Sequence, residues 1–380
     1  MKGDQLLTKF SGSICIRQRI AASYRRPFFE LVADRCEGKV TVLAGQPDES
    51  LGEAVGEFGQ LSNADLVRVQ NLYRGSGVLH RYSQPELIEH LNSIRPDVFV
   101  SEASPRFVDT QALIRQMRKQ QGTVLGWGAG TTDFWDKPFK RLRRIYRNRN
   151  LRNFDGMLCY GSVASEQYQE IGYSNEQTFV LYNSTLSRPD SAQPPEKNPF
   201  CLPAKVLFIG RLIRTKEVDR LISAARLLRE EGVQVSVQIV GDGPDMERLK
   251  GLAEAGNAPV QFLGKKAGTE LSMISQNADL FVLPGLGGLA IQEAMANGLP
   301  VIVTKADGTE LDLVKNNGWI SAKNTKALAQ CIKTAISDPE ELRRRGRESY
   351  RIVFEEINLD LMADRFIDAV STVHSRLRSS

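Results

Sequence analysis

Histidine is nearly absent: His80, His90 and His374 are the only three in 380 residues, and none stands at a spacing that builds a metal-ligand cluster. The five cysteines (Cys15, Cys36, Cys159, Cys201, Cys331) are odd in number and far apart. That pattern argues against a disulfide framework or zinc knuckle and for a reducing cytoplasm. No Asp-x-Asp pair occurs, which disfavours an enzyme built around a carboxylate-held divalent metal. No apolar run reaches the ~18 residues that span a bilayer, and the N-terminus, MKGDQLLTKFSGS, lacks the apolar core of a secretory signal. Charge is nearly balanced, with a formal net charge of +5 and 41% hydrophobic residues.

What is present is alternation. In the first half, short apolar runs (Ile14–Ile16, Val40–Leu43, Leu66–Val69, Asp97–Val100, Thr123–Gly126, Gly156–Tyr160, Thr178–Leu181) are separated by amphipathic segments. Such alternation predicts crossover-connected parallel strands and an α/β doubly wound sheet. From Ser187 to Leu202 four prolines (Pro189, Pro194, Pro195, Pro199) make a helix or central strand improbable, which places a linker there. A second α/β unit begins at Lys205, with strands expected at Val206–Ile209, Val235–Val240, Val260–Leu263, Leu280–Leu283 and Val301–Val303. The expected organisation is a first Rossmann-like domain over 1–186, a linker over 187–202 and a second such domain over 203–358. A closing helix, 359–380, is expected to pack back on the first domain. Two such domains facing each other would leave a cleft along the carboxyl ends of both sheets, where open α/β sheets bind ligands.

The stretch Leu283–Val303, LPGLGGLAIQEAMANGLPVIV, reads as strand, glycine-rich turn (Gly285, Gly287, Gly288), helix and strand. Asn297-Gly298 stops the helix and Pro300 prevents its continuation. Glycines at this junction let backbone N–H groups approach an anion at the helix N-terminus. The first strand of the second unit runs into Gly210-Arg211-Leu212-Ile213-Arg214-Thr215-Lys216, so Arg211, Arg214 and Lys216 project from a strand end. A guanidinium with a nearby ammonium suits a diphosphate. Gly241-Asp242-Gly243-Pro244 reads as a tight turn before a helix, and Phe262-Leu263-Gly264-Lys265 as a strand end that could offer backbone groups to a nucleobase.

These residues occur in one order and one set of spacings: KVLFIGRLIRTKEVDRLISA, IVGDGP, QFLGK, EAMANGLPVIVT and DGTELDLVKNNGWI. Together they resemble the C-terminal domain of family-4 retaining glycosyltransferases (glycosyl transferases group 1), which have the two-domain GT-B fold. The resemblance covers about residues 203 to 340; upstream, Tyr182-Asn183-Ser184 resembles the strand-end Asn before the linker. It implies that Arg211 and Lys216 hold the donor diphosphate, and that Glu293 binds the donor ribose. Gly288 and Leu289 would present N–H groups to the diphosphate, with Gly210, Gly285, Gly287 and Lys265 lining the donor site. The donor would be a nucleotide-diphosphate sugar, such as a UDP- or GDP-sugar, with no separate cofactor and no metal. The acceptor would be a saccharide or lipid-linked hydroxyl in polysaccharide, lipopolysaccharide or glycolipid assembly.

Four departures stand out. The first acid of the family's paired-glutamate motif falls on Gly285, Glu217 replaces the usual glycine after Lys216, and Arg17-Gln18-Arg19-Ile20 replaces a glycine-rich loop after the first strand. A histidine common in the N-domain cleft of relatives is missing from Trp127-Gly128-Ala129-Gly130. A non-catalytic GT-B scaffold subunit or a sugar-nucleotide epimerase is therefore the competing reading. On the acceptor side, Glu102, Trp127 and Asp133 are the candidates. Finally, Lys137–Arg152 carries eight basic residues in sixteen, with Phe139, Leu142, Ile145 and Tyr146 at helical spacing. Such a helix either packs its stripe on its own sheet with solvated charges or rests peripherally on an anionic membrane at the cytoplasmic face; in both cases the stripe itself is expected in the core. Nothing else points to nucleic acid.

Overall fold

The computed structural model describes residues 9–46, 56, 58–75, 80–131 and 140–379. The chain divides into two compact units, one formed by 1–185 with 359–380 and the other by 186–358.

The first unit contains β1 (Ile14–Gln18), α1 (Arg26–Asp34), β2 (Val40–Ala44), β3 (Asp65–Arg68), β4 (Leu72–Arg74), β5 (Arg81–Ser83) and α2 (Leu87–Ile94). It continues through β6 (Val98–Glu102), α3 (Thr110–Lys119), β7 (Thr123–Gly128), α4 (Lys140–Leu151), β8 (Gly156–Cys159), α5 (Ser162–Glu170) and β9 (Thr178–Val180). Seven strands form one parallel sheet in the order β3-β2-β1-β6-β7-β8-β9, and β4 pairs antiparallel with β5 beside it. Alternate residues of β1 explain why the sheet is covered twice. Ile14 and Ile16 join one buried cluster with Phe28 and Phe29 of α1, while Cys15 joins the opposite cluster with Phe99, Leu113 and Met117. Parallel strands buried on both faces read as continuous apolar runs for this reason.

The last helix, α13 (Leu359–Ser379), belongs to this first unit. Its Met362, Ala363, Phe366 and Val370 are buried with Phe28 and Phe29, and Asp364 accepts from Arg35 at 2.5 Å.

The second unit runs β10 (Ala204–Ile209), α6 (Val218–Glu230), β11 (Val235–Val240), α7 (Met246–Ala255), β12 (Val260–Gly264), α8 (Gly268–Asn277) and β13 (Leu280–Leu283). It ends with α9 (Gly288–Ala296), β14 (Val301–Thr304), α10 (Thr309–Leu313), β15 (Gly318–Ser321), α11 (Thr325–Ile336) and α12 (Pro339–Glu355). The parallel order β12-β11-β10-β13-β14-β15 is that of a doubly wound sheet, with its switch point between β10 and β13. The proline-rich stretch lies along this unit: Lys197 Nζ donates to the Ser275 carbonyl at 2.6 Å and the Tyr350 hydroxyl to that of Ser191 at 2.6 Å.

Candidate functional site

The crevice of the second unit opens where β10 and β13 leave the sheet in opposite directions. From β10 come Gly210, Arg211 and a short 3-10 turn, Arg214–Lys216; from β13 comes Pro284-Gly285-Leu286-Gly287, leading into α9. The two turns are fastened to each other. Leu286 N donates to the Thr215 carbonyl at 3.0 Å, and Lys216 Nζ donates to the Leu286 carbonyl at 2.5 Å. Behind them the Pro284 carbonyl accepts from Arg220 at 3.0 Å and from the Thr304 hydroxyl at 2.6 Å. Rigid backbone therefore holds the mouth of the crevice.

Gly285 is buried in this contact. A Cβ there would stand 2.4 Å from the Thr215 carbonyl oxygen and 2.6 Å from the Lys216 carbonyl carbon, so a side chain and the present turn cannot coexist. Gly285 thus acts by letting the two turns meet. Gly287 carries a positive φ of 147° next to the Lys216 ammonium. Among the described residues no side chain caps α9, which leaves the N–H groups of its first turn, including Gly288 and Leu289, without intrahelical acceptors. Burial lowers the pKa of Lys216, and the charge of Asp307 partly offsets this.

Of the three basic residues in the β10 turn, only two are available to this crevice. Arg214 turns to Asp245, at 3.3 Å. Arg211 is exposed and makes no ion pair among the described residues. Glu217 adopts a left-handed conformation, φ 52°, and pairs with Arg220 and Lys323. Glu293 lies farther along α9, half-buried, its carboxylate without a partner among the described residues, and burial raises its pKa. Lys265 is exposed after β12, two strands from the switch point. The β14 exit, whose DGTELDLVKNNGWI entered the resemblance without any site role, also lies here. There Asp307 accepts from the Thr309 amide and hydroxyl at 3.1 and 2.6 Å. The Glu310 carboxylate accepts from the amides of Ala306 and Gly308. The Thr309 hydroxyl oxygen stands 2.9 Å from where a Gly288 Cβ would be. The Asp-Gly-Thr-Glu run at a strand end was the available signal.

In the first unit, Glu102 ends β6 half-buried. Trp127 corrects the expectation of an acceptor contact: it is 2% exposed and packs against Phe28 and Phe366 in the core. Asp133 lies outside the described residues. The expectation that the α4 stripe is core is also corrected. Ile145 and Tyr146 are 57% and 43% exposed, beside the exposed Arg141, Arg144 and Arg149; Leu151 is buried, and Arg147 donates to the Thr131 carbonyl at 2.5 Å. Phe139 lies outside the described residues. Among the described residues no helix is long and apolar enough to cross a membrane.

Residues 192–352 match the family Glycosyl transferases group 1. A GDP-mannose-dependent alpha-(1-6)-phosphatidylinositol dimannoside mannosyltransferase of Mycobacterium tuberculosis is 28% identical over 233 residues, covering 59% of this chain and 61% of that protein. The putative colanic acid biosynthesis glycosyltransferase WcaL of Escherichia coli is 28% identical over 290 residues, 70% of each chain. Among solved structures, the lipopolysaccharide outer core galactosyltransferase WaaB aligns over 94% of this chain and 98% of its own with TM-score 0.67 and 15% identity. HepE of Anabaena, solved with UDP, aligns over 95% and 99% with TM-score 0.68 and 16% identity. At these identities the structures establish the fold, which is GT-B, and the glycosyl transferases group 1 match lies on the second of its two α/β units.

Proposed function

We propose that the chain is a retaining, metal-independent family-4 glycosyltransferase that moves a sugar from a nucleotide-diphosphate donor to a hydroxyl acceptor. The acceptor belongs to polysaccharide, lipopolysaccharide or glycolipid assembly, the settings named for its relatives. One observation carries the reading: a lysine ammonium sits beside an uncapped helix N-terminus at the switch point of a doubly wound sheet.

Glycosyl transfer from a nucleotide sugar needs the departing diphosphate stabilised more than it needs a strong base. Preorganised positive charge aimed at the oxygens where charge develops is the largest effect available. Lys216 and the N–H groups of Gly288 and Leu289 supply it on fixed backbone, and Arg211 adds an exposed guanidinium that is free to close on a phosphate. The half-buried Glu293 carboxylate, without a partner among the described residues, suits the two hydroxyls of a ribose. Retention places the acceptor on the leaving group's face, where a donor phosphate oxygen can take its proton. The exposed Ile145 and Tyr146, set among three arginines on α4, suit peripheral attachment to an anionic membrane, where a lipid-linked acceptor would lie.

Titration calorimetry with UDP and GDP tests the donor site. Lys216→Ala is expected to weaken nucleotide-diphosphate binding at least about tenfold, the value of one charge-assisted hydrogen bond. Unchanged affinity would remove Lys216 from the site.

A further inference from the structure

The first unit has a switch point of its own, between β1 and β6, and two buried arginines stand there. Arg17, at the end of β1, is paired with a carboxylate. It donates to Asp109 at 2.6 Å, to Gln84 at 2.7 Å and to Thr110 at 3.4 Å, and lies 3.5 Å over the Phe107 ring. Arg25, at the end of the loop after β1, is 5% exposed and has a different environment. Its Nη1 donates to Asn183 Oδ1 at 2.8 Å and its Nη2 to the Tyr160 hydroxyl at 3.2 Å. Three aromatic rings surround it, Trp127 at 4.9 Å, Tyr24 at 5.4 Å and Tyr160 at 5.7 Å. Among the described residues no carboxylate pairs with it.

A guanidinium offers five N–H donors, and among the described residues neutral partners take two of them here. Burying a cation without a counter-charge is costly, and π faces compensate only in part. Asn183, Tyr160 and Glu102 around it are only partly buried and Tyr24 is exposed, so the pocket has an open rim. Glu102 is near enough for its charge to be felt at the Tyr160 hydroxyl along with that of Arg25, yet it makes no ion pair with Arg25. Trp127, buried in the core, serves as the wall that fixes the guanidinium plane. These groups come from the exits of β1, β6, β7, β8 and β9, the edge at which open α/β sheets bind ligands.

We propose that Arg25 reads an oxyanion, the carboxylate or phosphate of an anionic, hydroxyl-bearing molecule, with Glu102 placed to accept from one of its hydroxyls. If the chain is a glycosyltransferase, that molecule is its acceptor; the term acceptor rests on the functional reading above, whereas the anion site does not. The planar fork fits both carboxylate and phosphate through paired N–H donors.

The test is calorimetric titration of the full chain with glucuronate, glucose 6-phosphate and neutral glucose, and separately with UDP and GDP. At least one anionic sugar is expected to bind about tenfold or more tightly than glucose. Arg25→Gln is expected to lose that preference while keeping its nucleotide affinity, and Lys216→Ala to keep the preference. Preference for glucuronate or for the phosphate identifies the source of the oxyanion. Retained anion binding in folded Arg25→Gln overturns the proposal, as does its loss in Lys216→Ala, which would put the anion in the diphosphate crevice. Should Arg25→Gln not fold, Arg25→Lys keeps the charge but not the fork, and undiminished affinity there overturns the proposal equally. Binding of UDP or GDP with no anionic sugar bound sinks this inference alone; anion binding without nucleotide binding sinks the transferase reading alone.

Discussion

Replacing Gly285 by alanine probes the contact on which the donor crevice is built. The added Cβ would meet the Thr215 carbonyl oxygen at 2.4 Å, the Lys216 carbonyl carbon at 2.6 Å and its oxygen at 2.7 Å. All three atoms are backbone, so no side-chain rotation relieves the overlap and one of the two turns must move. Overpacking of this kind costs about 1–3 kcal/mol, and in a domain of this size each kcal/mol lowers the melting temperature by about 2–4 °C. Scanning calorimetry of Gly285→Ala is therefore expected to show a fall of about 2–12 °C in the transition of the second unit. The same movement separates the Leu286 carbonyl from the Lys216 ammonium, now 2.5 Å apart. Affinity for UDP or GDP should fall with stability, by about tenfold. Gly285→Glu, which restores the acid that the family resemblance places there, is expected to lose affinity for the same reason. A melting temperature within about 1 °C of wild type for Gly285→Ala would refute the reasoning, as would tighter sugar-nucleotide binding by Gly285→Glu.

Burial raises the Glu293 pKa above its usual 4.5, and only the ionised carboxylate accepts from both ribose hydroxyls. Nucleotide affinity should thus weaken as pH falls through a window above 4.5, with no such loss in Glu293→Gln; parallel pH profiles would exclude the role. Lys197, buried against the Ser275 carbonyl and repelled by Arg343, has its pKa lowered from 10.5 to about 7. The unfolded chain then binds more protons between those values, so the stability of the second unit rises with pH across that window, by up to about 1.4 kcal/mol per pH unit. Chemical unfolding at pH 7 and pH 9 should show this gain in wild type and a smaller one in Lys197→Met, and identical slopes would contradict it. On α4, changing Arg141, Arg144 and Arg149 to Gln removes about 1 kcal/mol per charge at an anionic surface. Flotation with anionic vesicles should fall about 100-fold; equal flotation with neutral vesicles would exclude electrostatic docking.

The parallel α/β architecture was legible because buried strands such as Val98–Glu102 and Leu280–Leu283 are short apolar runs between amphipathic helices. The pair β4 and β5 was not, because Leu72–Arg74 and Arg81–Ser83 contain no apolar run. Spacing also placed an apolar stripe on α4 but could not say whether anything covers Ile145 and Tyr146. At the crevice, the chain's local grammar put Lys216 and Gly288 at strand exits, since glycine turns and helix starts are local features. Which way a side chain turns there is decided by contacts far along the chain. Arg214 goes to Asp245, Trp127 goes into the core beside Phe366, and Arg25 lies beneath Asn183, three outcomes that no stretch of neighbouring sequence announces. Gly285 is the sharpest case: the sequence shows a missing carboxylate, and the structure shows why the backbone leaves no room for one.

The first unit is completed by the last helix of the chain. During synthesis Phe28 and Phe29 emerge early, yet the residues that bury them, Met362, Phe366 and Val370 among others, are translated only after the whole second unit. At about 5–20 residues per second that delay is on the order of ten seconds or more. The second unit, continuous in sequence, is therefore translated in full while the first still lacks the helix that covers Phe28 and Phe29. Completion of the first unit's core thus waits on Leu359–Ser379, so contacts separated by more than three hundred residues decide when that unit can close.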